Sequence, residues 1–219
     1  MRYKIDLHTH SIISHDGGIT ADQYSQLLEK GVLDVIAITD HNETKFALDL
    51  VKKFGEKIIV GEEISTREGE MIGLFLKKTI PGNFTALETA KLIHEQGGIV
   101  YIPHPFEIFR QGLKRDVLQR IVSDIDIIEV FNARGKWRGK SGQALAFAKK
   151  YDKAMAAAGD SHCHQGMGSS YTIISEIPTN KTLINLLAKG ELNKQFAPVY
   201  TYLCPAINKI KHKFFIYVR

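Results

Sequence analysis

Residues 6–10 read Asp-Leu-His-Thr-His and close an apolar run that begins near Tyr3. Side chains alternate in direction along an extended strand, so His8 and His10 project to the same side of the chain. Two imidazoles at the end of a strand can bind one cation together, but such pairs also arise by chance on surfaces and in cores. The stretch therefore predicts a first strand that ends in a metal-binding pair, provided that ligands recur after later strands.

The composition is that of one globular domain. A chain of 219 residues can bury a full α/β core, and its 44% hydrophobic and 24% charged residues are ordinary globular usage. No apolar run reaches the roughly 18 residues that a membrane span needs, and we expect no secretory signal. The two cysteines, Cys163 and Cys204, are too few for a disulfide framework. We expect Cys163 to be incidental and the chain to be cytoplasmic.

The net charge of +5 lies in the C-terminal segment. From residue 193 onward there are five basic residues and no acidic ones, so residues 1–192 carry 24 of each sign. A nucleic-acid groove along the body is therefore not predicted, although the segment could contact an anionic partner.

The C-terminal segment also carries a helical pattern. Its apolar residues recur at helical spacing and form one stripe: Leu203, Ile207, Ile210 and Phe214. Three lysines lie off this stripe. We therefore expect a barrel domain over 1–192 and a basic amphipathic tail over 193–219. The stripe is expected to pack on the barrel or on another subunit, which would make a homo-oligomer, with a membrane-surface or nucleic-acid contact as the lesser alternative.

Strand and helix patterns alternate along the body. Capping boxes begin helices at Thr20 and Thr85, and the turn at 67–70 followed by an apolar run predicts a hairpin. Strands separated by helices favour parallel pairing, and six or seven such units in one domain indicate a nearly closed barrel. In such barrels the chemistry lies at the carboxyl ends of the strands.

Metal-ligand residue types follow nearly every predicted strand. The strand ends carry His8 and His10, Asp40 and His41, Glu62 and Glu63, His104, Glu129 and Asn132, and Asp160 and His162. Histidine with carboxylate, and without a cysteine pair, indicates zinc, manganese or iron. More than four ligands predict at least two ions.

The motifs at these positions resemble those of the PHP (polymerase and histidinol phosphatase) family. They are Asp6-Leu-His8-Thr-His10, Thr39-Asp40-His41, Gly61-Glu62-Glu63-Ile64-Ser65, Pro103-His104-Pro105-Phe106 and Gly159-Asp160-Ser161-His162. The resemblance implies an α/β fold, a distorted TIM-like (β/α)7 barrel, with two or three divalent ions that hydrolyse phosphoesters.

The family pattern also implies which residues hold each ion. His8, His10, Glu63 and Asp160 would surround one ion, and Glu63 would bridge to a second that His104 also holds. The third ion would be held by Asp16, His41 and His162, with His15 as the alternative to Asp16.

One position departs from the family pattern. Relatives carry a histidine ligand on the strand after the bridging glutamate, where this chain has Glu70. A carboxylate there could bind the second ion as a harder ligand, or leave that site weak or absent. Glu62, next to the bridge, is expected to point away from the site, and Asp6, Asp40 and Glu129 are candidates to orient the histidines.

The function expected from these residues is a metal-dependent phosphoesterase. Glu63, Asp160 and His104 are the candidate catalytic residues, because metal-activated hydroxide would attack a small phosphomonoester beside them. Arg134, Lys136 and Trp137 are the candidate substrate-binding residues in the loop after the sixth strand. The alternatives are a nuclease or phosphodiesterase on short oligonucleotides and a non-catalytic metal-binding regulatory barrel.

Overall fold

The computed structural model of the chain describes residues 1–215. Its strands are β1 (Tyr3–Asp6), β2 (Val35–Ile38), β3 (Ile58–Thr66), β4 (Gly69–Leu74), β5 (Ile99–Ile102), β6 (Ile127–Asn132), β7 (Ala154–Ala158), β8 (Tyr171–Ile174) and β9 (Glu191–Asn193). Its α-helices are α1 (Ala21–Glu29), α2 (Lys45–Phe54), α3 (Ala86–Glu95), α4 (Arg115–Arg120), α5 (Ser141–Lys150), α6 (Leu183–Ala188) and α7 (Cys204–Phe215).

The predicted barrel is confirmed. One sheet runs in the order β7-β6-β5-β4-β3-β2-β1-β8-β9. It curls so that β7 approaches β1 and β8 from the other side. Just beyond β1 and β7, the His10 backbone N–H donates to the Ser161 carbonyl over 2.9 Å. Where β7 approaches β8, the Ala157 N–H of β7 donates to Thr172 Oγ1 of β8 over 3.1 Å. These contacts leave the barrel nearly closed.

The parallel pairing expected outside the predicted hairpin is wrong at two places, between β4 and β5 and at β8. Strand β4 returns along β3 in the predicted hairpin, and it also pairs antiparallel with β5. Helix α3 connects β4 to β5 without restoring parallel pairing, because the tight turn has already reversed β4 relative to its neighbours. Strand β8 pairs antiparallel with β1. Strand β8 also pairs antiparallel with β9, and the remaining pairings between neighbours, β1–β2, β2–β3, β5–β6 and β6–β7, are parallel.

Strand β3 is longer than its apolar run suggests. The sequence places a strand end near residue 60, but β3 continues to Thr66 because Gly61 to Thr66 pair with β4. Glu63 therefore lies within a paired strand, opposite Ile72, and does not lie in a loop. Backbone hydrogen bonds on this strand hold the carboxylate in place.

The helices and the sheet enclose two apolar layers. Ile36 and Ile38 of β2 pack against the helices, whereas Val35 and Ala37 belong to the second cluster, with residues of β1, β3 and β5. This alternation is what a strand covered on both faces requires. The capping boxes at Thr20 and Thr85 are both formed. The sequence pattern therefore places the helices correctly around the sheet.

The C-terminal segment forms the helix α7, but its apolar stripe is not packed on the barrel. The predicted stripe residues are 47% to 69% exposed: Leu203, Ile207, Ile210 and Phe214. The buried side chain of this helix is Asn208, which is polar. Within the described residues the stripe therefore does not cover the barrel, and its packing on another subunit, the other expectation, stays a prediction. Arg219, part of the predicted basic tail, lies outside them.

The expectation for the cysteines is also wrong. Cys163 and Cys204 form a disulfide that joins the loop after β7 to the first residue of α7. Their separation of 41 residues hides this pairing from sequence inspection. The cysteine count therefore does not decide the redox compartment.

No helix within residues 1–215 is long and apolar enough to cross a membrane.

Glu62 behaves as expected from strand alternation and points away from the site. Its Oε2 accepts a hydrogen bond from the Ile80 N–H at 2.9 Å, its Oε1 has no partner, and the residue is fully buried. Burial raises the pKa of Glu62 to about 8. The folded chain therefore holds a proton that the unfolded chain releases near pH 4.5.

We predict that Glu62→Gln gains stability over the parent chain as the pH rises. The contribution of protonated Glu62 is complete below its unfolded pKa of about 4.5 and is lost by about pH 8. The amide keeps the acceptor for Ile80 without titrating, so the gain should grow by up to about 1.4 kcal/mol per pH unit across this window. Urea unfolding of metal-free protein at pH 5 and pH 8 measures it. The exposed Glu56→Gln is the control, and a gain independent of pH would contradict the assignment.

Candidate metal centre

The nine predicted metal ligands converge at the carboxyl ends of the barrel strands. Their side-chain ligand atoms form four overlapping groups, each within 4.8 Å: His10, Asp16, His41 and His162; His8, His10 and Glu63; His8, His104 and Asp160; and Glu63, Glu70 and His104. Of these residues, eight are buried and His41 is only slightly exposed. Seven of them, all except His8 and His10, line a cavity of about 230 Å³ at the mouth of the barrel.

His8 and His10 point their Nε2 atoms at one another, 3.1 Å apart. His8 Nδ1 lies 3.0 Å from Glu129 Oε2, which makes Nδ1 the donor and turns the other nitrogen into the site. Two nitrogen lone pairs this close repel unless a positive charge, a proton or a metal ion, lies between them. The donor set of imidazoles and carboxylates therefore fits divalent ions.

Glu129 links the segment after β1 to the end of β5 through its hydrogen bonds. Its Oε2 also accepts from the Tyr101 hydroxyl at 2.6 Å, and its Oε1 accepts from the His104 N–H at 2.9 Å and from Asn132 Nδ2 at 2.7 Å. With every lone-pair direction used, this carboxylate fixes the His8 ring and the backbone of His104 together. The prediction that Glu129 orients a histidine is confirmed.

Asp6 and Asp40 support the site differently from the expectation. Asp6 Oδ1 accepts from the N–H groups of His8 and Gly159, and both oxygens of Asp40 accept from Ser11. Neither carboxylate contacts an imidazole in these hydrogen bonds; they position backbone. Burial raises the pKa of Asp6 to about 7 and that of Asp40 to about 6.

Glu63 lies at the junction of the groups. Its Oε2 is 3.2 Å from His10 Nε2 and 3.3 Å from His8 Nε2, while its Oε1 is 3.1 Å from His104 Nε2. This geometry is that of a bridging carboxylate. Burial opposes ionisation, but His8, His41 and the hydrogen bonds from His10 and His104 hold the pKa of Glu63 well below its usual range.

Glu70 projects into the same site from β4. Its Oε1 is 3.6 Å from His41 Nδ1 and its Oε2 is 3.9 Å from His104 Nε2. Burial and the charge of Glu63 raise the pKa of Glu70 to about 8. Glu70, the position predicted to depart from the family pattern, thus turns a carboxyl group toward the candidate ligands.

The group of His10, Asp16, His41 and His162 decides between Asp16 and His15 as the candidate ligand. Asp16 is 5% exposed, and its Oδ2 lies 3.5 Å from His162 Nε2 and 3.7 Å from His41 Nε2. The His15 side chain is 59% exposed and belongs to none of the four groups. Of the two alternatives, the structure brings Asp16 to the ligands.

Protonation within the site follows from burial and neighbouring charge. Burial and the nearby His162 lower the pKa of His10 to about 3, so this imidazole is neutral and can donate a lone pair. Burial opposes protonation of His41 as well, but Glu63 and Asp16 raise its pKa to about 9. The ring of His41 therefore competes with a metal ion for the same two carboxylates.

Two of the predicted ligands sit in strained backbone. His104 has a φ of 29° and Asp160 has a φ of 49°, and residues other than glycine rarely adopt such positive values. The His104 N–H is held by Glu129, and Asp160 is held by two arginines described below. Such strain persists where surrounding contacts determine the conformation, and it concentrates at functional sites.

Arg134 and Arg110 both contact Asp160. Arg134 Nη1 lies 3.3 Å from Asp160 Oδ1, and Arg110 Nη1 donates to Asp160 Oδ2 at 2.6 Å and to Asn132 Oδ1 at 2.8 Å. Although burial raises it, the pKa of Asp160 is held well below its usual range by Arg134 first and then by His8, His162 and Arg110. Arg110 was missed by sequence reasoning, because it ends a short 3-10 helix beyond the motif at residues 103–106, and no motif includes it.

A larger cavity of about 700 Å³ adjoins the metal centre. Its lining includes Arg110 and Arg134, which both cavities share, together with Phe109, Trp137 and Tyr202. Lys136 is exposed and lies outside the lining, with its ammonium 5.6 Å from the centre of the Trp137 ring. The structure thus places Arg134 and Trp137 of the predicted substrate residues at the cavity, and Lys136 beside it.

Comparisons with known proteins agree with this geometry. A model of the PHP domain matches residues 6–166. An uncharacterized protein of Methanocaldococcus jannaschii is 37% identical over 191 residues, which is 81% of this chain and 73% of the relative.

Two solved structures share the fold. A two-domain protein of Bacteroides vulgatus, described as containing a predicted PHP-like metal-dependent phosphoesterase, has a TM-score of 0.70 at 17% identity, over 89% of this chain and 65% of that one. Endonuclease Q bound to a 27-mer duplex with an abasic lesion has a TM-score of 0.68 at 15% identity, over 88% and 58%. The chain spans less than two thirds of each of these two proteins.

We predict that Glu129→Gln weakens binding of the first metal ion by about tenfold to a hundredfold. An amide offers one oxygen where the carboxylate serves four donors, so the His8 ring loses its fixed orientation. Titration of chelator-treated protein with Mn²⁺ or Zn²⁺, followed by calorimetry, measures the affinity. The exposed Glu88→Gln serves as control. Unchanged affinity in Glu129→Gln would contradict the orienting contact.

Proposed function

Because the chain belongs to the PHP domain family, we propose that it is a metal-dependent phosphoesterase with two or three divalent ions, Mn, Fe or Zn, in its centre. The observation that carries the proposal is the sharing of Glu63 between two ligand groups, together with the neutral imidazole of His10. A carboxylate between two groups of imidazoles is the arrangement expected for neighbouring ions.

The proposed ligands divide among three ions. His8, His10, Glu63 and Asp160 would hold the first, and Glu63, Glu70 and His104 the second. The third would lie among Asp16, His41 and His162. Ions bound in such clusters lower the pKa of a water molecule and offset charge that develops on phosphoryl oxygens.

The chain's own side chains would bind and orient the substrate. A guanidinium offers paired N–H donors that match phosphate oxygens, and Arg134 lies at the junction of the two cavities. Arg110 lies there too and adds positive charge, with its nitrogens already donating to Glu107, Asn132 and Asp160. The inner cavity of about 230 Å³ accommodates a phosphoryl group. Two residues in its wall are held from behind, since Glu129 accepts from the His104 N–H and Asn132 donates to Asp160. We therefore propose a small phosphomonoester as substrate.

We predict that Glu63→Gln and Asp160→Asn each lower phosphatase activity by at least about a thousandfold, or about 4 kcal/mol of transition-state stabilisation. Each change removes one negative charge from the ligand set while keeping the shape of the side chain. Hydrolysis of a panel of phosphomonoesters by Mn-loaded protein is the assay, with metal content measured in parallel.

Glu62→Gln provides the matched control, since it is the same chemical change one residue away on the opposite face of β3. It should retain the parent activity. Full activity in both Glu63→Gln and Asp160→Asn would overturn the proposed site. Bound metal without turnover on any phosphoester would favour the non-catalytic regulatory barrel.

A nucleotide or short oligonucleotide is the second candidate substrate. The 700 Å³ cavity favours it, because aromatic rings stand beside cations: Trp137 is 63% exposed, its ring lies 5.1 Å from that of Tyr202, and Arg138 lies 4.5 Å from the Phe109 ring. Exposed aromatic faces stack on bases, and the cations pair with phosphates. The fold shared with endonuclease Q is compatible with this candidate.

We predict that Trp137→Ala separates the two substrates. It should raise KM for a nucleoside monophosphate or dinucleotide by about tenfold, since stacking on one base contributes on the order of 1–3 kcal/mol. KM for a small aliphatic phosphomonoester should not change. Steady-state kinetics with the two substrate types measures this, and Trp137→Phe should largely restore the KM. Equal effects on both substrates would exclude a stacking contact.

A further inference from the structure

The helix α7 lies against the metal centre although it follows the matched family region. Pro205 and Lys209 of this helix line the same 230 Å³ cavity as the predicted ligands. The Lys209 ammonium is 3.7 Å from Asp16 Oδ2, and its side chain is 54% exposed. The helix therefore brings a cation to the mouth of the site.

Polar contacts hold α7 in this position. Asn208 is 9% exposed, and its Nδ2 donates to the backbone carbonyls of both Asp16 and His162 at 2.9 Å. The fit is close, because a Cβ on Gly18 would lie 2.8 Å from this amide. One buried side chain thus ties the helix to the backbone of two predicted ligands.

A covalent bond fixes the start of the same helix. Cys204, its first residue, is disulfide-bonded to Cys163, which follows His162 in the chain. The apolar stripe of α7 is exposed, so burial of that stripe does not hold the helix. Its docking rests on the disulfide, on the polar contacts of Asn208, and on His212, whose Nε2 lies 3.3 Å from the Gly17 carbonyl oxygen.

Three cations face the inner cavity from different parts of the chain. Arg110 and Arg134 contact Asp160 on one side, while Lys209 contacts Asp16 on the other. An ammonium has three donors, so Lys209 can contact one carboxylate oxygen and still donate to an anion in the cavity. The cations thus flank the space in which a phosphoryl group would lie.

We infer that Lys209 is a substrate-binding residue that donates to a phosphoryl oxygen, and that the Cys163–Cys204 disulfide and Asn208 position it. This inference rests on the proposed function, since it assumes a phosphoester in the cavity. It assigns α7 to the active site and adds a cation from outside the family motif set.

The test is binding of inorganic phosphate to Mn-loaded protein, measured by calorimetry together with metal content. Lys209→Gln should weaken phosphate binding by roughly tenfold with metal content unchanged, as expected for loss of one charge-assisted hydrogen bond. Lys209→Arg should bind phosphate nearly as the parent does. Lys211→Gln, an exposed lysine on the same helix and outside the cavity lining, is the matched control and should not change binding.

A second variant tests the positioning of the helix. Cys204→Ser should weaken phosphate binding to a similar extent while circular dichroism shows an intact barrel, and adding Lys209→Gln to it should cause little further loss. Such non-additivity indicates that the disulfide acts through Lys209. Full additivity of the two changes would overturn the positioning by the disulfide.

The outcomes separate this inference from the proposed function. If the parent protein loaded with metal binds no phosphate, both fail. If phosphate binds equally to the parent and to Lys209→Gln, the inference alone is overturned. If Lys209→Gln lowers metal content, Lys209 supports Asp16 as a ligand, and its assignment to substrate is also overturned.

Discussion

A buried carboxylate among four imidazoles is the interaction on which the site depends. The oxygens of Glu63 lie within 3.6 Å of nitrogens of His8, His10, His41 and His104, which come from different parts of the barrel. Desolvating a carboxylate is costly unless positive charge is near, so the surrounding chain has to deliver these rings together. The rings follow β1, β2 and β5, and the hairpin of β3 and β4 places Glu63 among them within a paired strand and returns Glu70 to the same mouth.

The supporting contacts are as specific as the ligands. Glu129 uses both oxygens to fix His8, His104, Tyr101 and Asn132, and the strained backbone at His104 and Asp160 is stable because of such contacts. Charge is also arranged by position in the site. Carboxylates occupy the centre and the cations Arg110, Arg134 and Lys209 stand at its edge, which suits a site that binds cations and then a phosphorylated anion.

The C-terminal helix shows where sequence reasoning was least informative. Its helical periodicity was identified correctly, but the apolar stripe faces outward and polar Asn208 is the buried side chain. A pattern of hydrophobicity reports which face is apolar, not which face is docked. The disulfide that anchors this helix joins residues 41 positions apart, and no local signal in the chain connects them.

The sequence by itself determined the class of fold and identified the nine candidate ligands that converge at the mouth of the barrel. Strand periodicity and capping residues are local properties, and ligands recur at strand ends because parallel strands bring those ends to one edge. Tertiary structure decided the antiparallel pairing of β4 with β5 and the choice of Asp16 over His15. It also decided the contact of Arg110 with Asp160 and the docking of α7. Each of these depends on which distant surfaces meet once the barrel closes, and pairwise distance across a fold is not encoded in local spacing.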